Sequence, residues 1–184
     1  MAEACEFFGT PITGGNVSLY NETLGEGIFP SPVLGIVGLM KTTEPVGPAF
    51  LNEGREVFVI GGLGACDETR FGGTQYAKWV LEQVWGLPPA LDMEFEKSVQ
   101  AAVRELVVSK LVESAHDLSD GGLAVALAES SFGHGIGFDG DLNSGLRPEL
   151  LLYHEGPSRV VVSTADAAAV REVCRRHGVP AESI

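Results

Sequence analysis

The stretch SAHDLSDGGLAVALAES, Ser114 to Ser130, changes character twice in seventeen residues. SAHDL is too short for anything but the end of a strand, two glycines follow, and LAVALAES then has the composition of a helix. Ser119 or Asp120 stands where a side-chain oxygen can cap the free N–H groups of that helix. A strand running through a glycine turn into a helix is the unit of a layered fold, and the flanking sequence repeats the alternation.

Upstream, REVFVIGGLG reads as a strand entering a glycine-rich turn, followed by a helix from about Thr74 to Trp85 that breaks at GLPP. Over residues 91–112, Leu91, Phe95, Val99, Val103, Leu106, Val107 and Leu111 recur at threes and fours, which sets them on one face of a long helix that packs on a sheet. Downstream, SRVVVST reads as a strand and ADAAAVREVCRRHG as a helix ended by Gly178, with a further strand expected where the sequence ends at Ile184. Toward the N-terminus, MAEACEFFG reads as the end of a helix already under way, so that a missing beginning is expected. PSPVLGIVGLM reads as a buried strand, and one unit is expected to end near Phe50. The fold class expected is α+β, a layered mixed sheet with helices.

Composition narrows the chemistry. The chain has 184 residues and a net charge of −13, which works against partners held by their phosphates, because such partners require Lys and Arg to displace counterions. Nucleic acid and membrane surfaces are therefore not expected as partners. Cys5, Cys66 and Cys174 are far apart and fit neither a disulfide framework nor a zinc spacing, which suits a reducing cytoplasm. There is no basic-then-apolar leader and no apolar run of the length of a membrane span.

Two stretches carry candidate chemistry. In PITGGNVSLYNETLGEG, Pro11 to Gly27, Gly14 and Gly15 can form a plain turn followed by an asparagine in a left-handed conformation. The same residues also suit phosphate and Mg²⁺: glycines admit phosphate oxygens close to the backbone, Asn16 offers a hard carbonyl oxygen, and the Ser18 hydroxyl points to the same side if the segment is extended. In HDLSDGG, Ser119 and Asp120 can serve only the helix start, or Asp117 can hold a metal while the helix N-terminus receives phosphate. RFGGTQYAK is a phosphate-facing loop or a glycine-rich helix entry. His134, His154 and His177 have no partner in metal spacing and read as surface residues. No Ser/His/Asp or Cys/His arrangement stands out.

Taken together, GGNVSLYNET and SAHDLSDGGLAVALAES, in this order and with PSPVLGIVG, EVFVIG, FGGTQY and SRVVVS between and after them, resemble the C-terminal part of the phosphoribosylformylglycinamidine synthase family in its small bacterial form. The resemblance covers about a quarter of that enzyme. It implies two tandem pairs of domains like those of aminoimidazole ribonucleotide synthetase, of which residues 1–50 would be the tail of the second N-terminal-type domain and 51–184 most of the second C-terminal-type domain, truncated at its end. It implies an ATP- and Mg²⁺-dependent ligase that makes formylglycinamidine ribonucleotide from formylglycinamide ribonucleotide and ammonia. The ammonia would come from a glutaminase subunit, with a small bridging subunit and the missing N-terminal half as further partners. By the same resemblance Gly15 contacts ATP, Asn16 binds Mg²⁺ and Ser18 contacts the substrate, while Asp117 ligates Mg²⁺ and Ser119 contacts nucleotide in a duplicated, non-catalytic site.

The family's catalytic histidines and principal Mg²⁺ carboxylates belong to its first half, so no catalytic residue is expected here and the isolated chain is expected to be inactive. The sequence departs from the family pattern at FGGTQY and YHEGPSR, and no site role is carried to Thr74, Gln75 or Glu155. Two other readings share these features: a non-catalytic structural or nucleotide-binding half-module, and another enzyme of the superfamily such as aminoimidazole ribonucleotide synthetase or selenophosphate synthetase, neither of which shares NVSLYNE.

Overall fold

A computed structural model describes residues 1–17, 20–40, 44–64, 66 and 68–184. They form two compact units, Met1–Pro45 and Val46–Ile184.

The first unit is lightly structured. Helix α1 (Ala2–Phe8) buries none of its residues and stops at Gly9, whose left-handed φ of 64° lets its N–H reach back to the carbonyls of Cys5 and Glu6. Strands β1 (Glu22–Thr23) and β2 (Glu26–Gly27) form an antiparallel hairpin. Its two turn residues, Leu24 and Gly25, both have positive φ (55° and 81°), the type I′ geometry that matches strand twist. The buried strand expected over Pro30–Met40 does not form. Those residues are in no described strand, and Val33, Val37 and Leu39 are almost wholly exposed. β-branched composition makes a segment fit to pair, but a strand needs a neighbouring ladder and a face to bury, and the described residues of this unit offer only a two-residue hairpin.

The second unit carries β3 (Glu56–Ile60), a 3₁₀ turn (Glu68–Arg70), α2 (Gln75–Trp79), α3 (Met93–Val108) and β4 (Ser114–Asp117). It continues with α4 (Gly122–Phe132), α5 (Pro148–Tyr153), β5 (Val160–Thr164), α6 (Ala167–His177) and β6 (Ala181–Ser183). The strands lie in the order β4-β5-β3-β6, every ladder antiparallel, with Phe58 opposite Val162 and Ser183 on its two sides. A single parallel bridge, Gly47 to Ser114, is added outside β4. The α+β class expected from the sequence is what the chain adopts.

Helices cover both faces, so the strands are apolar on both. Phe58, Ile60 and Val162 point to one side, against Val99, Ala102 and Leu106 of α3 and Val170, Val173 and Cys174 of α6. Val57, Val59 and Val161 point to the other, against Leu123, Ala126 and Leu127 of α4, Leu151 of α5 and Phe50. This two-residue alternation is why EVFVI and VVVST read as continuous apolar runs. Phe58, Ile60, Leu106 and Leu123 are fully buried, each contributing roughly 1.5–3 kcal/mol by removal from water.

Helix ends account for the differences from the sequence reading. Asp92 caps α3 by accepting from the N–H groups of Glu94 and Phe95, so Leu91 precedes the helix and is exposed, while the other six face residues are buried or pack against the core. Thr74 caps α2 by accepting from Ala77 N–H, but this helix ends at Trp79 rather than Trp85. The chain reverses at Glu82, which has a φ of 55°, and Trp85 N–H returns to the Gly72 carbonyl at 3.2 Å. Strand β5, α6 with Gly178 at its C-cap, and β6 all form where expected.

Candidate functional site

Gly15 and Asn16 lie in the irregular, exposed segment 11–17 of the first unit. Nothing approaches within 4 Å of the position a Cβ would take at Gly14 or Gly15, and among the described residues no hydrogen bond holds the Asn16 side chain. The backbone there is open to a ligand. Ser18 lies outside the described residues.

In the second unit the structure brings Asp117 and Ser119 together. Asp117 ends β4 with its carboxylate largely in solvent, and the Ser119 hydroxyl donates to it at 2.5 Å. Between them Leu118 is anchored in the core, its N–H donating to the Arg159 carbonyl at 3.1 Å, so the two polar side chains flank a fixed point. Half-buried His116 places Nδ1 2.7 Å from the Asp117 carbonyl and Nε2 3.3 Å from the Glu129 carboxylate.

The cap of α4 departs from expectation. Neither the Ser119 nor the Asp120 side chain bonds the helix N-terminus. The cap residue is Gly121, left-handed at φ 80°, and its N–H donates to Glu155 Oε1 at 2.8 Å. The same oxygen accepts from Gln75 N–H, also at 2.8 Å, so one carboxylate joins the start of α2 to the start of α4. Ser119 does not cap because its hydroxyl is turned back to Asp117.

Glu155 belongs to the loop 154–159, which organises this end of the sheet. His154, read from the sequence as a surface residue, is 2 % exposed. Its Nε2 lies 3.0 Å from the Leu63 carbonyl, and Nδ1 accepts from Gly156 N–H at 3.4 Å. Burial and the nearby Arg159 cation hold the imidazole down to about 4. Arg159 is itself nearly buried and donates to the carbonyls of Gly156, Leu63 and His154. Burial lowers it to about 10, partly offset by the charge of the Cys66 sulfur in its thiolate form. Glu182 of β6 accepts from Leu63 N–H at 3.1 Å, completing the hold on the glycine turn. His154, Glu155 and Arg159 line a cavity of about 460 Å³ together with Gly61, Gly64 and Arg70. Of the other histidines, His134 is exposed, as expected, and half-buried His177 bonds Glu105.

Sequence reasoning missed Glu155, His154 and Arg159 because their partners lie 34, 80 or more than 90 residues away or are backbone atoms close in the loop. Thr74 did carry a signal, a threonine directly before a helical stretch. Among the described residues no group of three or more His, Cys, Asp or Glu side chains could hold a metal ion, and no helix is long and apolar enough to cross a membrane.

Comparison with known proteins fits this architecture. Residues 52–184 match the AIR synthase related protein, C-terminal domain, and the chain belongs to that family. The phosphoribosylformylglycinamidine synthase subunit PurL of Moorella thermoacetica is 45 % identical over 100 % of this chain and 25 % of its own length. That of Caldanaerobacter subterraneus is 38 % identical over the same shares. The chain thus spans about a quarter of the length of the curated relatives it matches. Among solved structures, phosphoribosylformylglycinamidine synthase II of Thermotoga maritima shares the fold at a TM-score of 0.55 and 23 % identity, covering 75 % of this chain and 22 % of that one. The Thermotoga maritima PurL complexed with FGAR does so at 0.60 and 22 %, covering 75 % and 24 %. The family resemblance read from the motifs is the one these relatives display.

Proposed function

We propose that this chain works as part of an ATP-dependent carbon–nitrogen ligase of purine biosynthesis, one that converts formylglycinamide ribonucleotide and ammonia to formylglycinamidine ribonucleotide. The observation that carries the reading is the 45 % identity, over the whole chain, to a synthase of that name. The Thermotoga maritima PurL complexes with FGAR and with ATP support the substrate and the nucleotide, each at 22 % identity and TM-scores of 0.60 and 0.53. In this reading residues 1–50 are the tail of an N-terminal-type domain and 51–184 a C-terminal-type domain. The partners are the remainder of a longer synthetase, a glutaminase subunit and a small bridging subunit, in the cytoplasm.

In the reaction the glycinamide carbonyl oxygen of the substrate attacks the γ-phosphorus of ATP, releasing ADP, and ammonia then displaces phosphate from that carbon to leave the amidine, the formyl group being unchanged. Little of this is covalent work for the protein, whose part is to position and to neutralise charge. Gly15 admits nucleotide oxygens to the backbone, and Ser18 donates to the substrate. Each of two separate oxygens also suits Mg²⁺, the Asn16 carbonyl at the substrate site and the exposed Asp117 carboxylate at the duplicated nucleotide site, since both are hard donors and Mg²⁺ bound to phosphates takes only one or two protein ligands. Such an ion would supply charge neutralisation at the phosphates. Ser119, hydrogen-bonded to Asp117, contacts the second nucleotide through its hydroxyl.

The test is a chimaera in which this chain replaces the aligned quarter of the Moorella thermoacetica subunit, assayed with ATP, ammonia and the formyl substrate. Amidine formation is expected, and the 184-residue chain alone should give none. A folded chimaera without turnover would overturn the reading.

A further inference from the structure

The N-terminus of an eleven-residue helix presents unpaired N–H groups and a partial positive charge, and an anion normally answers both. In HDLSDGG that place could be taken by a phosphate. We infer that Glu155 is the built-in anion of α4: it holds the phosphate position at this helix start and clasps α2 to it, so the turn is closed to nucleotide phosphates.

Three observations carry this. A single oxygen, Glu155 Oε1, lies 2.8 Å from both Gly121 N and Gln75 N. The next donor, Gly122 N–H, is already bonded to the Ser119 carbonyl at 3.0 Å. The loop backbone also fills the space: a Cβ at Gly122 would lie 2.6 Å from the His154 carbonyl oxygen and 2.9 Å from that of Leu152. Gly121, Gly122 and Leu123 are buried accordingly, leaving no approach for a tetrahedral anion. The inference follows from this geometry and stands or falls separately from the proposed ligase reaction. It confines any nucleotide contact here to the exposed side chains of Asp117 and Ser119.

The clasp has a built-in reporter. Both tryptophans of the chain, Trp79 and Trp85, belong to the segment that Glu155 fastens. Trp85 packs over Gly72, its indole N–H donating to the Glu68 carbonyl at 2.8 Å, and Tyr76 of α2 stacks on Tyr153 at 4.6 Å. Loosening the start of α2 therefore exposes more of Trp85, which is 37 % exposed with the clasp closed.

The experiment compares the 184-residue chain with E155A and E155Q in sodium phosphate and in sodium chloride of equal ionic strength. The melting midpoint of the unaltered chain is expected to rise in phosphate only by the general stabilisation that this salt gives a folded chain, and by less than that of E155A. E155A should melt several degrees lower in chloride, show red-shifted tryptophan emission, and recover part of both losses in phosphate. E155Q, which keeps a neutral acceptor, should fall between. A midpoint that rises in phosphate for the unaltered chain as much as for E155A would overturn the inference, because the helix start would then be open. So would an E155A that matches the unaltered chain in midpoint and emission. Should E155A fail to fold, E155Q decides: a lower midpoint with a gained phosphate response supports the clasp, and behaviour identical to the unaltered chain overturns it.

Discussion

Arg159 donates to the backbone carbonyl of His154 at 2.8 Å, and the guanidinium and the imidazole converge on the same Leu63 carbonyl, at 3.4 Å and 3.0 Å. A cation and a neutral ring thus share one buried acceptor. The arrangement works only while the ring stays neutral with its proton on Nε2, because a second buried charge would face the like charge of Arg159.

A pH dependence follows. His154 is held down to about 4 from an ordinary 6.5, first by burial and then by Arg159. Below 6.5 the unfolded chain takes up a proton that the folded chain refuses, so stability falls as the pH drops from 6.5 to about 4 and levels off, for this group, once both states are protonated. The loss amounts to at most about 3 kcal/mol. Urea denaturation of the chain and of His154→Gln across this window should show a shallower acid slope in the variant. Parallel slopes would remove His154 as the cause.

Glycines in one conformation should divide by what surrounds them. Gly61 has a φ of 92° and a Cβ there would meet the Ser158 carbonyl oxygen at 2.0 Å, whereas Gly178, at φ 67°, has nothing within 4 Å. Gly178→Ala should cost about 1–2 kcal/mol, the left-handed penalty alone. Gly61→Ala adds a backbone clash and should cost about 3 kcal/mol or more. Equal losses on chemical denaturation would contradict the packing of loop 154–159 on the glycine turn.

The sheet of the second unit was legible because its strands and its helix faces obey simple periods. EVFVI, VVVST and the series Phe95, Val99, Val103, Leu106 each follow from burial against a layer, and burial acts on every second or every third and fourth residue. Local capping chemistry likewise marked Gly178. What was not legible depends on distant partners. Glu155 was passed over because its two N–H donors come from helix starts 34 and 80 residues away, and His154 because nothing near it in sequence shows that it is buried. The stretch 30–40 misled for a related reason: its residues have the composition of a strand, and composition does not say whether a ladder is present to receive it.

That stretch gives the next prediction. Val33, Leu34, Ile36, Val37 and Leu39 are all at least two-thirds exposed within seven residues, more contiguous apolar surface than a lone soluble chain ordinarily shows. The 184-residue chain should therefore self-associate with rising concentration in sedimentation velocity, and Val37→Lys should reduce the association without moving the melt of residues 46–184. A monodisperse monomer over the accessible concentration range would contradict this.

The last prediction concerns Asn16 and Ser18 in the chimaeric or complete synthetase. Asn16 stands on an open backbone with its side chain unheld, so Asn16→Ala should not lower the melting temperature. As a ligand to Mg²⁺ at the phosphates it should instead lower turnover and move the Mg²⁺ dependence to higher concentration. Ser18→Ala removes a hydroxyl that in the proposed site bonds the substrate, a loss of about 1 kcal/mol, somewhat larger if the acceptor is a charged phosphate. Its effect should fall on the KM for the formyl substrate and spare that for ATP. A purely structural turn predicts the reverse, lower melting temperatures with unchanged kinetic constants in the enzyme that remains folded. Steady-state kinetics and melts of both variants separate the two, and unchanged kinetics at both positions would remove Asn16 and Ser18 from the site.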